Sequence, residues 1–194
     1  MTAAGMTYPI GLEAYDPAEQ DRLSVFLRII YAIPQLIALY FVQIVLMILS
    51  ILAWFAILFT GRYPDAFANF TAGGLRWWAR TSGYIFLLTD QYPPFSLEET
   101  DEYPVRPAIN IDLGERNRLT VFFRTILIIP HFVVVAVLEA ITGVLLFIAW
   151  LVALFTGTVP VGIHNFIASF LRYSLRTMSY YQLATDEYPP FSLE

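Results

Sequence analysis

The chain has 194 residues, of which 58% are apolar and only 14% charged, with a mean hydropathy of +0.62 and a net charge of −5. A soluble domain of this size has no interior large enough for so much apolar surface, because ordinary usage is about 45–50% apolar and 25% charged. Cysteine is absent, which excludes disulfides, thiolate chemistry and Cys-based metal sites, and the acidic balance opposes nucleic-acid binding.

Met1 to Gly11 has neither a basic start nor a short apolar core, and Glu13, Asp16, Glu19 and Asp21 follow. No secretory signal is expected there, so the first apolar run must itself direct insertion. A helix start is predicted at Asp16-Pro17-Ala18-Glu19, which supplies an N-cap, a proline at the first helical position and an acidic third residue. Ile29 to Gly61 contains no charged side chain, well beyond the roughly 18 apolar residues that suggest a membrane segment. From Pro17 to Thr60 only Pro34 interrupts the pattern, and a straight helix of that length would measure about 65 Å. The hydrocarbon core is about 30 Å thick. The segment is therefore expected to bend, to lie partly in the interface or to fold back.

Two paths are compatible with this. Residues 35–60 could cross once, with 64–88 as a return span carrying Arg76 and Arg80 near its middle. Alternatively 22–60 forms a hairpin with its tip near Gln43, matched later by a tip at Glu139–Gly143. The hairpin is favoured because it leaves the arginines on one side and avoids charge at the bilayer centre, which costs about 2.5–3.5 kcal/mol per residue.

Thr60-Gly61 is expected to end the apolar helix, glycine being the natural left-handed terminal residue. Pro64 restarts the chain, and 64–88 reads as an amphipathic helix. Asn69, Gly73, Arg76, Arg80 and Gly83 share one face, while Phe70, Leu75, Trp77, Trp78 and Phe86 occupy the others. Arginine beside aromatics on such a helix suggests one lying in the headgroup layer. Asp90-Gln91-Tyr92-Pro93-Pro94-Phe95 then follows an extended, polyproline-like path. Past the acidic linker Glu99–Glu102, alternation at Ile109, Ile111 and Leu113 predicts a short strand.

Shifting the chain by 96 residues aligns 16–98 with 112–194, and roughly 36 of these 83 positions are identical. The chain is thus two tandem units, 8–98 and 103–194, joined by the linker 99–102. Identical pairs include Arg22/Arg118, Arg28/Arg124, Pro34/Pro130, Trp54/Trp150, Gly61/Gly157, Arg76/Arg172 and Arg80/Arg176. The closing Tyr-Pro-Pro-Phe-Ser-Leu-Glu recurs at 92–98 and 188–194, whereas the apolar centres have drifted. The fold class expected is an all-α integral membrane protein. Each unit would have a long hairpin-like apolar segment, an interfacial amphipathic helix and short extended pieces at its ends.

The Thr-Gly-x-x-Pro turn and the Tyr-Pro-Pro-Phe-Ser-Leu tail, in that order after an arginine-led apolar run, resemble an uncharacterised bacterial membrane family. That family is catalogued as a domain of unknown function and is common in actinobacteria. The likeness covers nearly the whole chain, once per unit, although Thr158-Val159 replaces Arg62-Tyr63 in the second. It implies a membrane location and brings no activity; with two long apolar runs, a multi-pass protein of the bacterial plasma (inner) membrane is expected.

Chemistry-bearing candidates are few. His131 and His164 are not shared by the units and offer no ligand spacing, so no metal or cofactor is expected. Glu139 is the one acidic residue inside an apolar run, either at a hairpin tip or as an ion site. The arginine pairs are expected either to dock carboxylates and carbonyls or to hold lipid headgroups and the acidic edge of a partner. Lipid or partner contacts are assigned to Arg22, Arg28, Arg76, Arg80, Arg118, Arg124, Arg172 and Arg176 with Trp77 and Trp78. Interface anchoring is assigned to Trp54, Trp150, Tyr92, Phe95, Tyr188 and Phe191. No catalytic set is apparent, so a non-catalytic accessory or scaffold is expected, packing with membrane lipids and with other subunits or itself. A curvature or lipid-organising protein and a small transporter or channel component are the alternatives.

Overall fold

In the computed structural model, which describes residues 8–193, the first apolar run is one unbroken helix, α1 (Arg22–Thr60). The hairpin expectation is corrected: no residue near Gln43 turns the chain. Among the described residues, positive φ occurs only at Gly61, Leu87, Gly157 and Leu183. No glycine or proline stands between Pro34 and Gly61 to break it, and Pro34 removes a single N–H without stopping the helix. In the second unit the same stretch is divided into α3 (Arg118–Phe122), α4 (Arg124–Leu127) and α5 (Ile129–Thr156). Glu139 to Gly143 lies inside α5 as ordinary helix, not at a tip.

The helix starts also move. Asp21, not Asp16, caps α1, its carboxylate accepting from the backbone N–H of Ser24 at 2.8 Å, and Asn117 plays that part for α3. Residues before the cap stay non-helical because the backbone there has another partner: the N–H of Gln20 donates to the Gly157 carbonyl at 2.8 Å. Both long segments end as expected, on glycines in the left-handed region, Gly61 (φ 77°) and Gly157 (φ 78°).

Two further helices, α2 (Asp65–Ile85) and α6 (Val161–Tyr181), fold back along α1 and α5. The strands β1 (Ile10–Ala14) and β2 (Val105–Ile109) pair antiparallel, Leu12 opposite Pro107. The second strand thus lies earlier than the predicted Ile109–Leu113, because Val105, Pro107 and Ile109 are the residues with a core to face. Each strand packs on the helix of the other unit, β1 on α6 and β2 on α2. The units are thereby exchanged at their edges.

The result is three layers. The long helices run antiparallel on one face, since Trp150 Nε1 donates to the Val25 carbonyl (3.1 Å) and Trp54 Nε1 to that of Val121 (3.0 Å). Helices α2 and α6 form the middle layer and the strands cover the opposite face, while the Tyr-Pro-Pro-Phe tails pass from α2 and α6 to the long helices at Gln35 and His131. The main core, with Ile10, Leu12, Leu75, Val105, Leu171 and Leu175, lies between the middle layer and the strands. Burying each such side chain contributes about 1.5–3 kcal/mol. Helix α2 thus has a central place in the molecule, and small residues make it possible. A Cβ at Gly73 would sit 2.7 Å from the Leu97 carbonyl oxygen, and one at Gly74 would meet Leu46.

The outer helices behave in the opposite way. Buried positions on α1 recur every three or four residues over much of its length, at Val25, Arg28, Ala32, Gln35, Leu39, Leu46, Ala53 and Ile57. The rest of the circumference exposes Ile, Leu, Phe and Tyr from Leu23 to Phe59. In the most apolar 18-residue windows only 17% of α1 and 11% of Arg124–Thr156 is buried. Both helices are long and apolar enough to cross a membrane.

Candidate functional site

The residues that recur in both units converge where the tail leaves α2 or α6. Helix α2 closes with a Schellman turn, Leu88 N–H donating to the Gly83 carbonyl (2.9 Å) and Leu87 N–H to that of Tyr84 (3.2 Å). The left-handed position is a leucine, Leu87 (φ 61°), matched by Leu183 (φ 64°) in the second unit. Such a backbone costs a residue with a side chain about 1–2 kcal/mol. Burial offsets the cost. Leu87 fills a cluster with Val25, Ala149, Ala153 and Val159, and Leu183 one with Ala53, Ile57 and Val121, so each pins the start of one long segment to the end of the other.

This turn aims two carbonyls at one guanidinium. Arg28 Nη1 donates to the carbonyls of Tyr84 and Thr89, both at 2.8 Å, and Nη2 to Asp90 Oδ1 at 2.6 Å. The guanidinium also lies 4.6 Å from the centre of the Tyr84 ring. Asp90 accepts further from Ser24 Oγ (2.7 Å) and the Asp21 N–H (3.2 Å), placing a carboxylate at the positive end of α1. In the second unit Arg124 donates to the carbonyls of Tyr180 (3.0 Å) and Thr185 (2.6 Å) and pairs with Asp186. Asp186 accepts in turn from the Asn117 N–H at 2.8 Å. Arg116, where the first unit has Gln20, joins this cluster.

About two helical turns further along, the clamp changes chemistry while keeping its place. Gln35 Nε2 donates to the Pro93 carbonyl (2.6 Å), and Gln35 Oε1 accepts from Trp77 Nε1 (2.7 Å). At the matching position the His131 ring shares a 2.6 Å hydrogen bond with the Tyr173 hydroxyl and stacks on Phe191 at 4.1 Å. His164 faces the Leu88 carbonyl at 3.4 Å. Among the described residues, no group of three His, Asp or Glu side chains could hold a metal ion.

The arginine pairs of α2 and α6 hold the outer layer. Arg80 donates to the Ser96 carbonyl, and Arg76 pairs with Glu99 at 3.3 Å. Arg172 donates to the carbonyls of Leu12 (3.0 Å) and Leu193 (3.3 Å), and Arg176 to that of Ile10 (3.4 Å). Burial pushes the guanidinium pKa of Arg80, Arg172 and Arg176 down from its usual value. Two tyrosines tie the strands to the tails, Tyr103 to the Gln91 carbonyl (3.0 Å) and Tyr8 to that of Glu187 (2.9 Å). Burial raises both hydroxyl pKa values well above the ordinary range.

The proposed contact residues thus divide. Arg28, Arg80 and Arg124 are buried on backbone carbonyls, and Arg172 and Arg176 are partly so. Arg22 and Arg118 are exposed at the helix starts, and Arg76 is half-buried. Trp77 is buried against Gln35, and Trp78 packs on the main core. Trp54 and Trp150 join the two long segments. Tyr92, Phe95, Tyr188 and Phe191 stay exposed while resting on Tyr84, Trp77, Tyr180 and His131. Two further pairs belong to the site without having been expected there, Leu87/Leu183 and the Gln35/His131 pivots. Identity between units marks the former, and nothing in the sequence marks the latter.

No curated protein and no solved structure matches the chain significantly. A family model described as a domain of unknown function, DUF4389, matches residues 22–96 and again 118–192, which are the two clamp-bearing repeats just described. The chain belongs to the DUF4389 family, carrying its domain twice in tandem.

Proposed function

We propose that this protein is a non-catalytic membrane scaffold or accessory subunit of a bacterial plasma membrane. Its working surface is the apolar outer face of α1 and α5. The observation that carries this reading is the contrast between that face and the rest of the molecule. The long helices leave more than four-fifths of their most apolar windows uncovered. The repeated pairs Arg28/Arg124, Arg76/Arg172 and Arg80/Arg176, by contrast, spend donors on the chain's own carbonyls and carboxylates. A surface of that kind is filled by lipid and by the apolar helices of other subunits or of a second copy. The exposed Arg22 and Arg118 are suited to lipid phosphates at its rim.

Extraction in mild detergent followed by native sizing is expected to give a homo-oligomer or a larger complex. Clean monomers across several detergents would count against the scaffold. A second reading, leaflet expansion and curvature, is favoured by one observation: both long helices lie on the same face of the molecule. It predicts that liposomes tubulate or shrink as protein density rises, and unchanged vesicles would remove it. A transport role loses its motivating feature, because the arginine stripe faces tails and strands.

A further inference from the structure

Resting on the membrane location just proposed, we infer that α1 and α5 lie along the plane of one leaflet. Neither crosses the bilayer, and the strand layer faces water on the same side for both repeats. The occupant of the apolar face is the acyl region of that single leaflet.

The long helices are too long to stand upright. The uncharged part of α1 from Ile29 to Thr60 is about 47 Å long, so fitting it into about 30 Å of hydrocarbon by tilting alone needs about 50°. Tilts of spanning helices run from 0 to about 40°.

What lies abreast of the helix middle points the same way. Halfway along α1, Gln35 and Leu46 touch Trp77 and Gly74 of α2. The adjoining side of this part of α2, about 100° round the helix at Gly73, touches Leu97, and Arg76 beyond it pairs with Glu99. Glu99, Asp101 and Glu102 of the acidic stretch are exposed on that side, as is the strand residue Glu13. If α1 crossed upright, these carboxylates would stand at the bilayer centre, together with irregular tail backbone and an open two-stranded sheet. Both are strongly disfavoured in hydrocarbon. Laid flat, the same molecule puts its apolar layer in lipid and its acidic layer in water.

The internal symmetry agrees. The long segments are antiparallel, and so are the strands, so the axis relating the repeats runs from the helix face through to the strand face. Placed along the membrane normal, that axis presents both repeats identically to one leaflet. Glu139 is compatible with this. It is exposed, one residue after partly buried Leu138 and three before buried Thr142, at the edge of the buried face of α5 and not at its outermost line.

The chain has no cysteine, so single reporters are clean. Arg22→Cys and Thr158→Cys mark one end of the long helices, Arg62→Cys the other, and Glu102→Cys the strand face; all four residues are exposed. The full chain is placed in membrane vesicles of each orientation and treated with a membrane-impermeant maleimide. The expected result is labelling of all four sites in one orientation and loss of labelling of all four in the other. Labelling of Arg22→Cys or Thr158→Cys from the face opposite to Arg62→Cys overturns the inference and leaves the membrane scaffold standing. If instead the unsubstituted chain washes off the vesicles in alkaline carbonate, the membrane location itself fails.

Discussion

Replacing Arg28 with methionine tests whether the guanidinium clamp holds the tail. Methionine keeps much of the aliphatic stem and removes the donors. It strands the carbonyls of Tyr84 and Thr89 and leaves Asp90 with its partners at Asp21 and Ser24. Breaking a buried pair by deleting one partner costs about 3–5 kcal/mol. Here the lower end applies, because the Asp90 side chain is 29% exposed and keeps two other donors. For a chain of this size about 3 kcal/mol corresponds to a fall in Tm of about 6–12 °C. Tryptophan fluorescence during thermal unfolding in detergent measures the fall, and Arg22→Met, at an exposed site on the same helix, is the control. In the double variant with Asp90→Asn the losses are expected to be less than additive. Equal effects of Arg28→Met and Arg22→Met, or strictly additive ones with Asp90→Asn, would refute the clamp.

Leu87 carries both a burial gain and a backbone cost, so Leu87→Ala is expected to lose about 2–5 kcal/mol, whereas Leu87→Gly recovers about 1 kcal/mol of that by relieving the left-handed strain. Chemical denaturation of the two variants side by side gives the order. Two helical glycines should respond with opposite signs in the same assay. Gly73→Ala must push back the Leu97 backbone and costs about 1–3 kcal/mol, while Gly143→Ala meets open space and gains about 0.5–1 kcal/mol of helix propensity. Alkaline titration should weaken the fold. Burial pushes the Tyr173 hydroxyl up to about 12, so its stabilising contribution is complete below pH 10 and declines as pH rises from 10 to 12. Stability measured over that interval in the wild type and in Tyr173→Phe, which removes the titrating group, should show a smaller decline in the variant.

The repeat, the glycine-terminated ends of the long helices and the helical character of 64–88 are all legible in the amino-acid sequence. They rest on local chemistry: identity at a fixed offset, a left-handed terminal glycine, and 3.6-residue spacing. The helix start is not legible in the same way, because Asp16 and Asp21 both offer a capping carboxylate, and the choice depends on Gln20 finding Gly157 across the molecule. The hairpin expectation fails for a related reason. It supposes a chain that must cross about 30 Å of hydrocarbon, and that supposition outweighs the absence of any glycine or proline near Gln43.

The candidate site divides the same way. That Arg28, Arg80 and their partners matter follows from their recurrence, but what they touch does not. A guanidinium can donate to a lipid phosphate or to a set of backbone carbonyls, and its position in the sequence does not say which. What decides between them is the reach of the tail, and the tail is positioned by two leucines in a left-handed turn and by strands exchanged between units. By itself the sequence determined a duplicated, predominantly apolar chain with a recurrent polar rim, because hydropathy and repetition are sums over residues. Which arginines are consumed internally, and that the apolar surface is gathered on one face, only the tertiary structure decided, because both depend on contacts between segments far apart in the chain.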